Sequence, residues 1–127
     1  SGHAYIAHGG RQLACVEKNG DCYLAVVDDP PMNRFKPSVD YLFQSVLELD
    51  LSSEVLAIIL TGMGSDGAKG LLALKNRGAY TIGQSEESCL VYGMPRAANE
   101  IGATSLMAST EEIVDLISAS LSQLKAA

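Results

Sequence analysis

The sequence predicts an α/β fold in which a mainly parallel, doubly wound sheet is flanked by helices, together with a separate antiparallel hairpin. Three observations support this class. Strand patterns flank an Asn-Gly pair, a continuous apolar run lies in mid-chain, and helical and strand patterns alternate after it. Strands separated by helices pair in parallel with right-handed crossovers, so their carboxyl ends should share the edge where ligands bind.

The first predicted elements are a hairpin and a helix. Asn19-Gly20 is the preferred pair for a type I′ turn, and alternating apolar residues on either side predict two antiparallel strands. The strand residues are Leu13, Cys15, Tyr23, Ala25 and Val27. Two prolines after Asp29 end the second strand, because neither can donate to a ladder. Apolar residues at helical spacing then predict a helix that starts near Ser38 and ends near Asp50.

The middle of the chain supplies the predicted sheet. The apolar run from Val55 to Leu60 shows no alternation, which is typical of a strand buried on both faces at the centre of a parallel sheet. A glycine-containing turn over residues 61–67 follows it. A helix over Ala68 to Arg77 comes next and ends at Gly78. Ala79 to Ile82 then predicts the next strand.

The carboxyl-terminal part completes the alternation. Pro95 suits the first turn of a short helix that ends near Glu100, and residues 102–107 supply a last short strand. Ser109 and Glu112 have the spacing of a capping box that opens the final helix. The apolar stripe of that helix consists of Ile113, Leu116, Ile117, Leu121 and Leu124. We interpret the stripe as core packing rather than as a partner-binding face.

Composition and charge narrow the class of protein. The chain is 47% hydrophobic and 19% charged, which suits a single domain over residues 1–127 with a substantial core. A net charge of −6 disfavours nucleic acid or an anionic membrane surface as a partner. The sequence shows neither a signal pattern nor a membrane-spanning apolar stretch, which predicts a soluble cytoplasmic protein. Cys15, Cys22 and Cys89 lack zinc-ligand spacing and are interpreted as reduced structural thiols.

The turn after the apolar run carries the most informative motif. Gly62, Gly64 and Gly67 form a G-x-G-x-x-G pattern, and Glu86 lies where a ribose hydroxyl would be bound, so a nucleotide-binding module is one option. Asp66 argues against it, because a carboxylate there would repel a pyrophosphate at the helix amino end. The same carboxylate suits the orientation of a catalytic histidine, or it caps the following helix.

Four segments carry a resemblance to one known family. They read GHAYIA at 2–7, RFKPSVDYLF at 34–43, LTGMGSDGA at 60–68 and QSEESCLVYGMP at 84–95. In this order they resemble the catalytic domain of the chemotaxis protein-glutamate methylesterases, the CheB type. The resemblance extends to the last helix. It implies a Rossmann-like α/β fold of which this chain forms the C-terminal two-thirds, with the amino-terminal strand and helix units missing.

The family resemblance implies a reaction and a site. Such proteins hydrolyse glutamate methyl esters on chemoreceptor helices, and deamidate certain glutamines, through a Ser-His-Asp triad without a metal or an organic cofactor. Asp66 matches the triad aspartate, and the backbone amide of Met63 is expected to help hold the oxyanion. Candidates for the oxyanion and active-site loop are Met63, Gly62 and Gly64. Candidates for the substrate cleft are Thr61, Met94 and Arg34.

The serine and histidine of the family precede the segment that matches this chain, so the chain alone is expected to be inactive. Ser65 has no histidine beside it in the sequence, His3 lies in a matched segment where the family gives it no catalytic role, and His8 is interpreted as a loop residue. His8 replaces a proline and Gln12 replaces a histidine of the family pattern, and Phe35 and Lys36 stand where the family commonly has His-Arg. We expect these departures to flank the cleft, and they keep open a non-catalytic chemosensory docking domain.

The expected partners follow from the same resemblance. They are methylated chemoreceptor helices and, in the intact protein, a phosphorylated receiver domain. A chain without the first strands would also leave apolar edges on its sheet, which a homo-oligomer would cover.

Overall fold

The computed structural model describes residues 2–126, with side chains described for residues 2–123, so Ser1, Ala127 and the side chain of Leu124 lie outside it. The helices and strands in chain order are β1 (Gln12–Lys18), β2 (Asp21–Val27), α1 (Val39–Glu48), β3 (Leu56–Ile59), α2 (Ala68–Asn76), β4 (Tyr80–Gln84), α3 (Met94–Glu100), β5 (Leu106–Ala108) and α4 (Thr110–Ala126). Short 3₁₀ turns cover Ser52–Glu54 and Glu86–Ser88. The predicted α/β class with an additional hairpin is confirmed.

The hairpin forms as predicted because its turn residues accept the required backbone. Asn19 and Gly20 have φ values of 55° and 83°, the left-handed pair that a type I′ turn needs. β1 and β2 pair antiparallel along their whole lengths. Gln12 and Ala14 at the start of β1 are buried, whereas most of β2 is exposed.

The parallel sheet has the order β3-β4-β5. The expectation that the run from Val55 to Leu60 forms the central strand is therefore wrong, because β3 lies at one edge and β4 in the middle. Ala57 and Ile59 of β3 are buried, whereas its alternate residues are only half-buried. An apolar run reports that both faces of a strand are covered. It does not report how many strands pair with it.

Helices cover both faces of this sheet. On one face α1, α2 and α3 enclose Leu71, Leu74 and Ala98, which are fully buried. On the other face Ile113 of α4 packs against Ile82 of β4. Right-handed crossovers place α2 and α3 on the same side, so the loops that follow β3 and β4 meet at the carboxyl edge of the sheet.

The final helix opens with the predicted capping box. The backbone N–H of Ser109 donates to Glu112 Oε2 at 2.8 Å, and that of Glu112 donates to Ser109 Oγ at 3.2 Å. The first residues of the predicted stripe, Ile113, Leu116 and Ile117, pack into the core. Leu121 is 54% exposed, so the stripe leaves the core before the helix ends. None of the helices within residues 2–126 combines the length and apolar character needed to cross a membrane.

The last strand begins later than predicted. The backbone N–H of Ala103 donates to the carbonyl of Ala98, and that of Gly102 donates to Asn99, so these residues close the end of α3. Gly102 has a φ of 77°, which a residue with a side chain adopts poorly. β5 is therefore limited to Leu106–Ala108.

Candidate active site

Hydrogen bonds from Thr61 join the loop after β3 to the loop after β4. Its backbone N–H donates to Oε1 of the buried Gln84 at 2.8 Å. Its hydroxyl donates to the Val91 carbonyl at 3.0 Å and accepts from the Val91 N–H at 2.9 Å. Thr61, a predicted cleft residue, thus uses its polar groups within the fold.

Glycines let the two loops touch through their backbones. Gly62 donates to the Val91 carbonyl at 3.0 Å, and its own carbonyl accepts from the N–H groups of Gly93 and Met94 at 3.1 and 2.8 Å. A Cβ on Gly93 would lie only 2.7 Å from the Gly62 carbonyl oxygen. Residues 61–64 and 91–94 therefore form one packed unit, here called the double loop, and Met94 lies within it.

Met63 projects from the double loop with 83% of its surface exposed. Gly64 follows with a φ of 97°, a left-handed conformation that turns the backbone directly after Met63. Within residues 2–126, the backbone N–H groups of Met63 and Gly64 have no acceptor. Backbone N–H groups that point out of a tight turn are the kind of donor that oxyanion holes use.

Asp66 lies deeper, with 6% of its surface exposed, and accepts four hydrogen bonds. Its Oδ1 accepts from Asn33 Nδ2 at 2.8 Å, from Ser38 Oγ at 2.8 Å and from the backbone N–H of Asp40 at 3.4 Å. Its Oδ2 accepts from the backbone N–H of Val39 at 2.7 Å. Asp66 therefore accepts from the first two N–H groups of α1, beside the N-cap residue Ser38, whose hydroxyl accepts from the Tyr41 N–H at 3.3 Å. The alternative that it caps the following helix is wrong, since α2 receives no side-chain cap.

The two oxygens of Asp66 are unequally used. A carboxylate oxygen has about two lone pairs, and Oδ1 already has three donors around it, whereas Oδ2 accepts one hydrogen bond. Oδ2 is consequently the atom with capacity for one more donor.

Two polar residues that sequence reasoning missed complete this network. Asn33 donates through the same nitrogen to Asp40 Oδ2 at 2.7 Å, and Asp40 Oδ1 accepts from the backbone N–H of Gly70 at 2.8 Å. Asn33 and Arg34 both have positive φ values, 53° and 70°. An asparagine next to a matched motif was the available signal, because asparagine tolerates this conformation and can also donate. Arg34, a predicted cleft residue, is exposed beside it.

Gln12 lies beneath this network rather than in the cleft. It is fully buried, its Oε1 accepts from the backbone N–H of Ser38 at 2.9 Å, and its Nε2 donates to the carbonyls of Pro30 and Phe35 at 3.1 and 3.2 Å. The expectation that the departure at Gln12 flanks the cleft is therefore wrong. Gln12 supports the segment that carries Asn33, and the side chain of Phe35 is 46% exposed.

The structure brings no histidine to Asp66 within the part of the chain that it describes. His8 is exposed and its Nδ1 contacts the adjacent carbonyl, and the ring of His3 lies 6.2 Å from that of Tyr5. Ser65, next to Asp66, is exposed. The described residues also contain no group of three or more side chains suited to hold a metal ion.

The chain is an α/β domain with a buried carboxylate in a loop at the carboxyl edge of its sheet. Proteins of this class can supply the aspartate of a hydrolytic Ser-His-Asp triad. The sequence profile described as CheB methylesterase matches residues 1–117, and the chain belongs to this family.

Relatives and a solved structure agree with this membership. The chain is 52% identical over 101 residues, or 80% of its length, to protein-glutamate methylesterase/protein-glutamine glutaminase 2 of Vibrio vulnificus, and covers 29% of that relative. It is 46% identical over 91% of its length to protein-glutamate methylesterase/protein-glutamine glutaminase of Photorhabdus laumondii, and covers 31% of it. The chain thus spans about a third of these curated relatives.

The fold agrees with a crystal structure of the Thermotoga maritima CheB methylesterase catalytic domain. The TM-score is 0.80 at 32% sequence identity, with 88% of this chain and 61% of the other chain covered. The predicted fold family is therefore confirmed.

Proposed function

We propose that this chain contributes the triad aspartate to a protein-glutamate methylesterase of bacterial chemotaxis, and that the whole protein hydrolyses glutamate γ-methyl esters on chemoreceptors. One observation carries the proposal. Asp66 is buried and fixed by four donors, and its Oδ2 retains room for one more. Family membership and the names of the relatives support the substrate class, and the second part of those names supports glutamine deamidation by the same route.

In the proposed mechanism the rest of the protein supplies a serine and a histidine. The serine oxygen attacks the ester carbonyl carbon while the histidine takes the hydroxyl proton, and methanol leaves with that proton. Water then attacks the acyl-enzyme, with the histidine again as base, and releases the glutamate carboxylate. Asp66 Oδ2 accepts the Nδ1–H of the histidine, which fixes the tautomer and stabilises the imidazolium that forms in each half-reaction.

The double loop would supply the other half of the site. The Met63 N–H, which lies in a turn shaped by Gly62 and Gly64, would donate to the developing oxyanion. The exposed Arg34 and the residues Thr61 and Met94 of the double loop would border the substrate. This chemistry needs no metal or organic cofactor.

The proposed setting is the cytoplasm, where methylated receptor helices are the substrate and a phosphorylated receiver domain in the intact protein is a further partner. This chain would have no covalent route to ester cleavage by itself, because a carboxylate that orients a histidine cannot replace the nucleophile and the base.

The test measures methanol release from membranes that carry methylated chemoreceptors. The whole protein should release methanol and should react at one serine with a phosphonyl fluoride, whereas the 127-residue chain should do neither. Activity of the chain alone that is abolished by Ser65→Ala would overturn the proposal. Receptor binding by the whole protein without methanol release would instead favour a docking domain.

A further inference from the structure

The side-chain amide of Asn33 links two buried carboxylates. Its Nδ2 donates to Asp66 Oδ1 at 2.8 Å and to Asp40 Oδ2 at 2.7 Å, so these two oxygens can be no more than 5.5 Å apart. Asp66 and Asp40 are 6% and 5% exposed. An amide nitrogen has two hydrogens, and each is used here on a different carboxylate.

This bridge lies between like charges that are themselves buried, although Asn33 is exposed. Two carboxylates this close and this buried repel each other unless donors lie between them. Asp40 is also anchored to α2, because its Oδ1 accepts from the Gly70 N–H at 2.8 Å. The bridge therefore connects the Asp66 carboxylate, which accepts from the first N–H groups of α1, to a second helix.

We propose that Asn33 is a positioning residue for the triad. Its amide holds Oδ1 of Asp66 against Asp40, which sets the rotation of the carboxylate and leaves Oδ2 directed to the histidine. Asp40 acts as the fixed anchor of that amide. The inference rests on the proposed function, since it assigns a role within the same site.

The backbone of Asn33 allows a clean perturbation. Its φ of 53° lies in the left-handed region, which glycine adopts without strain, so Asn33→Gly removes the amide and preserves the turn. A matched control exists at Asn19, which has a φ of 55° in the hairpin turn and lies outside the network. Asn19→Gly repeats the same chemical change at the same backbone conformation.

Methanol release by the whole protein is measured for both variants. Asn33→Gly should lower kcat by about 10- to 100-fold with KM within about twofold, since a misplaced catalytic group lowers the rate and not the binding. Asn19→Gly should stay within about twofold of wild type. Adding Asp40→Asn to Asn33→Gly should recover kcat at least about threefold, because it removes one of two unbridged charges. A purely structural role for Asn33 predicts a further loss instead.

The outcomes separate this inference from the function on which it rests. Wild-type kcat in Asn33→Gly, or no recovery in the double variant, would overturn the positioning role and leave the methylesterase proposal standing. A wild-type protein that releases no methanol would overturn both. If Asn33→Gly does not fold, hydrogen exchange of side-chain amides in the wild type decides. Asn33 should exchange much more slowly than Asn19, and equal rates would overturn the bridge.

Discussion

Asp66 should stabilise the fold as well as serve the proposed active site. The stability of Asp66→Ala tests the first role alone, because unfolding of this chain is measured without any assay of activity. The substitution removes the acceptor of three short hydrogen bonds, from Asn33 Nδ2, Ser38 Oγ and the Val39 N–H. Hydrogen bonds to a charged group contribute about 1.5–3 kcal/mol each, and entering water recovers part of the loss. We therefore expect the free energy of unfolding to fall by about 3–5 kcal/mol.

Urea unfolding followed by circular dichroism measures this change. Asp66→Asn keeps one oxygen acceptor but replaces the other with an NH₂ group, whose N–H then faces a donor. The free energy of unfolding should therefore fall by an intermediate amount, about 1–3 kcal/mol. Asp115→Ala on the exposed side of α4 is the control and should change stability by less than about 0.5 kcal/mol. A loss below about 1 kcal/mol in Asp66→Ala would refute the claim that hydrogen bonds to Asp66 stabilise the amino end of α1.

Three further predictions concern the loops and a thiol. Gly93→Ala places a Cβ 2.7 Å from the Gly62 carbonyl and should lower stability by about 1–3 kcal/mol in thermal melts, whereas Gly9→Ala, with open space around it, should have little effect. Gln12→Ala leaves the Ser38 N–H and the Pro30 carbonyl without their hydrogen-bond partner, so the free energy of unfolding measured in urea should fall by about 2–4 kcal/mol. Gln44→Ala, at an exposed position, should hardly change it. Burial raises the pKa of the Cys15 thiol in the folded state. The unfolded chain therefore loses this proton first, and stability should fall as pH rises above about 8.5. Between neutral and alkaline pH, the urea midpoint should fall less in Cys15→Ala than in wild type. An equal fall in the two proteins would contradict the raised pKa of Cys15.

Elements defined by local chemistry could be predicted from the sequence. The hairpin turn needs only two adjacent residues in the left-handed region, and Asn19-Gly20 supply them. The capping box of α4 joins residues three apart, Ser109 and Glu112. Each signal lies within one turn of chain, so no knowledge of the tertiary structure was required.

The surroundings of Asp66 could not be predicted because its partners are distant in the sequence. Ser38 and Asn33 precede it by 28 and 33 residues, and no spacing rule links them to the glycine loop. The resemblance identified Asp66 but not the atom that remains open. The edge position of β3 was missed for a related reason, since hydrophobicity records burial and not strand neighbours.

Gln12 is a residue for which the sequence pattern indicated the wrong place in the fold. Its departure from the family pattern indicated the cleft, yet the side chain is fully buried and all its described bonds go to backbone groups. A glutamine amide offers one acceptor and two donors, and the segment that ends at Ser38 uses all three. The sequence identifies a substituted position, but only the packing shows which side of the loop it occupies.

The central claim is that the Asp66 carboxylate orients a catalytic histidine of the whole protein. The most direct test is kcat for methanol release from methylated receptor membranes by Asp66→Asn, with Asp115→Asn as the control, under conditions where both are folded. Asparagine nearly preserves the shape of the side chain but favours the wrong histidine tautomer, which predicts a fall in kcat of about 10⁴-fold with KM little changed. Asp115→Asn should match wild type, and a kcat for Asp66→Asn within about threefold of wild type would contradict the claim.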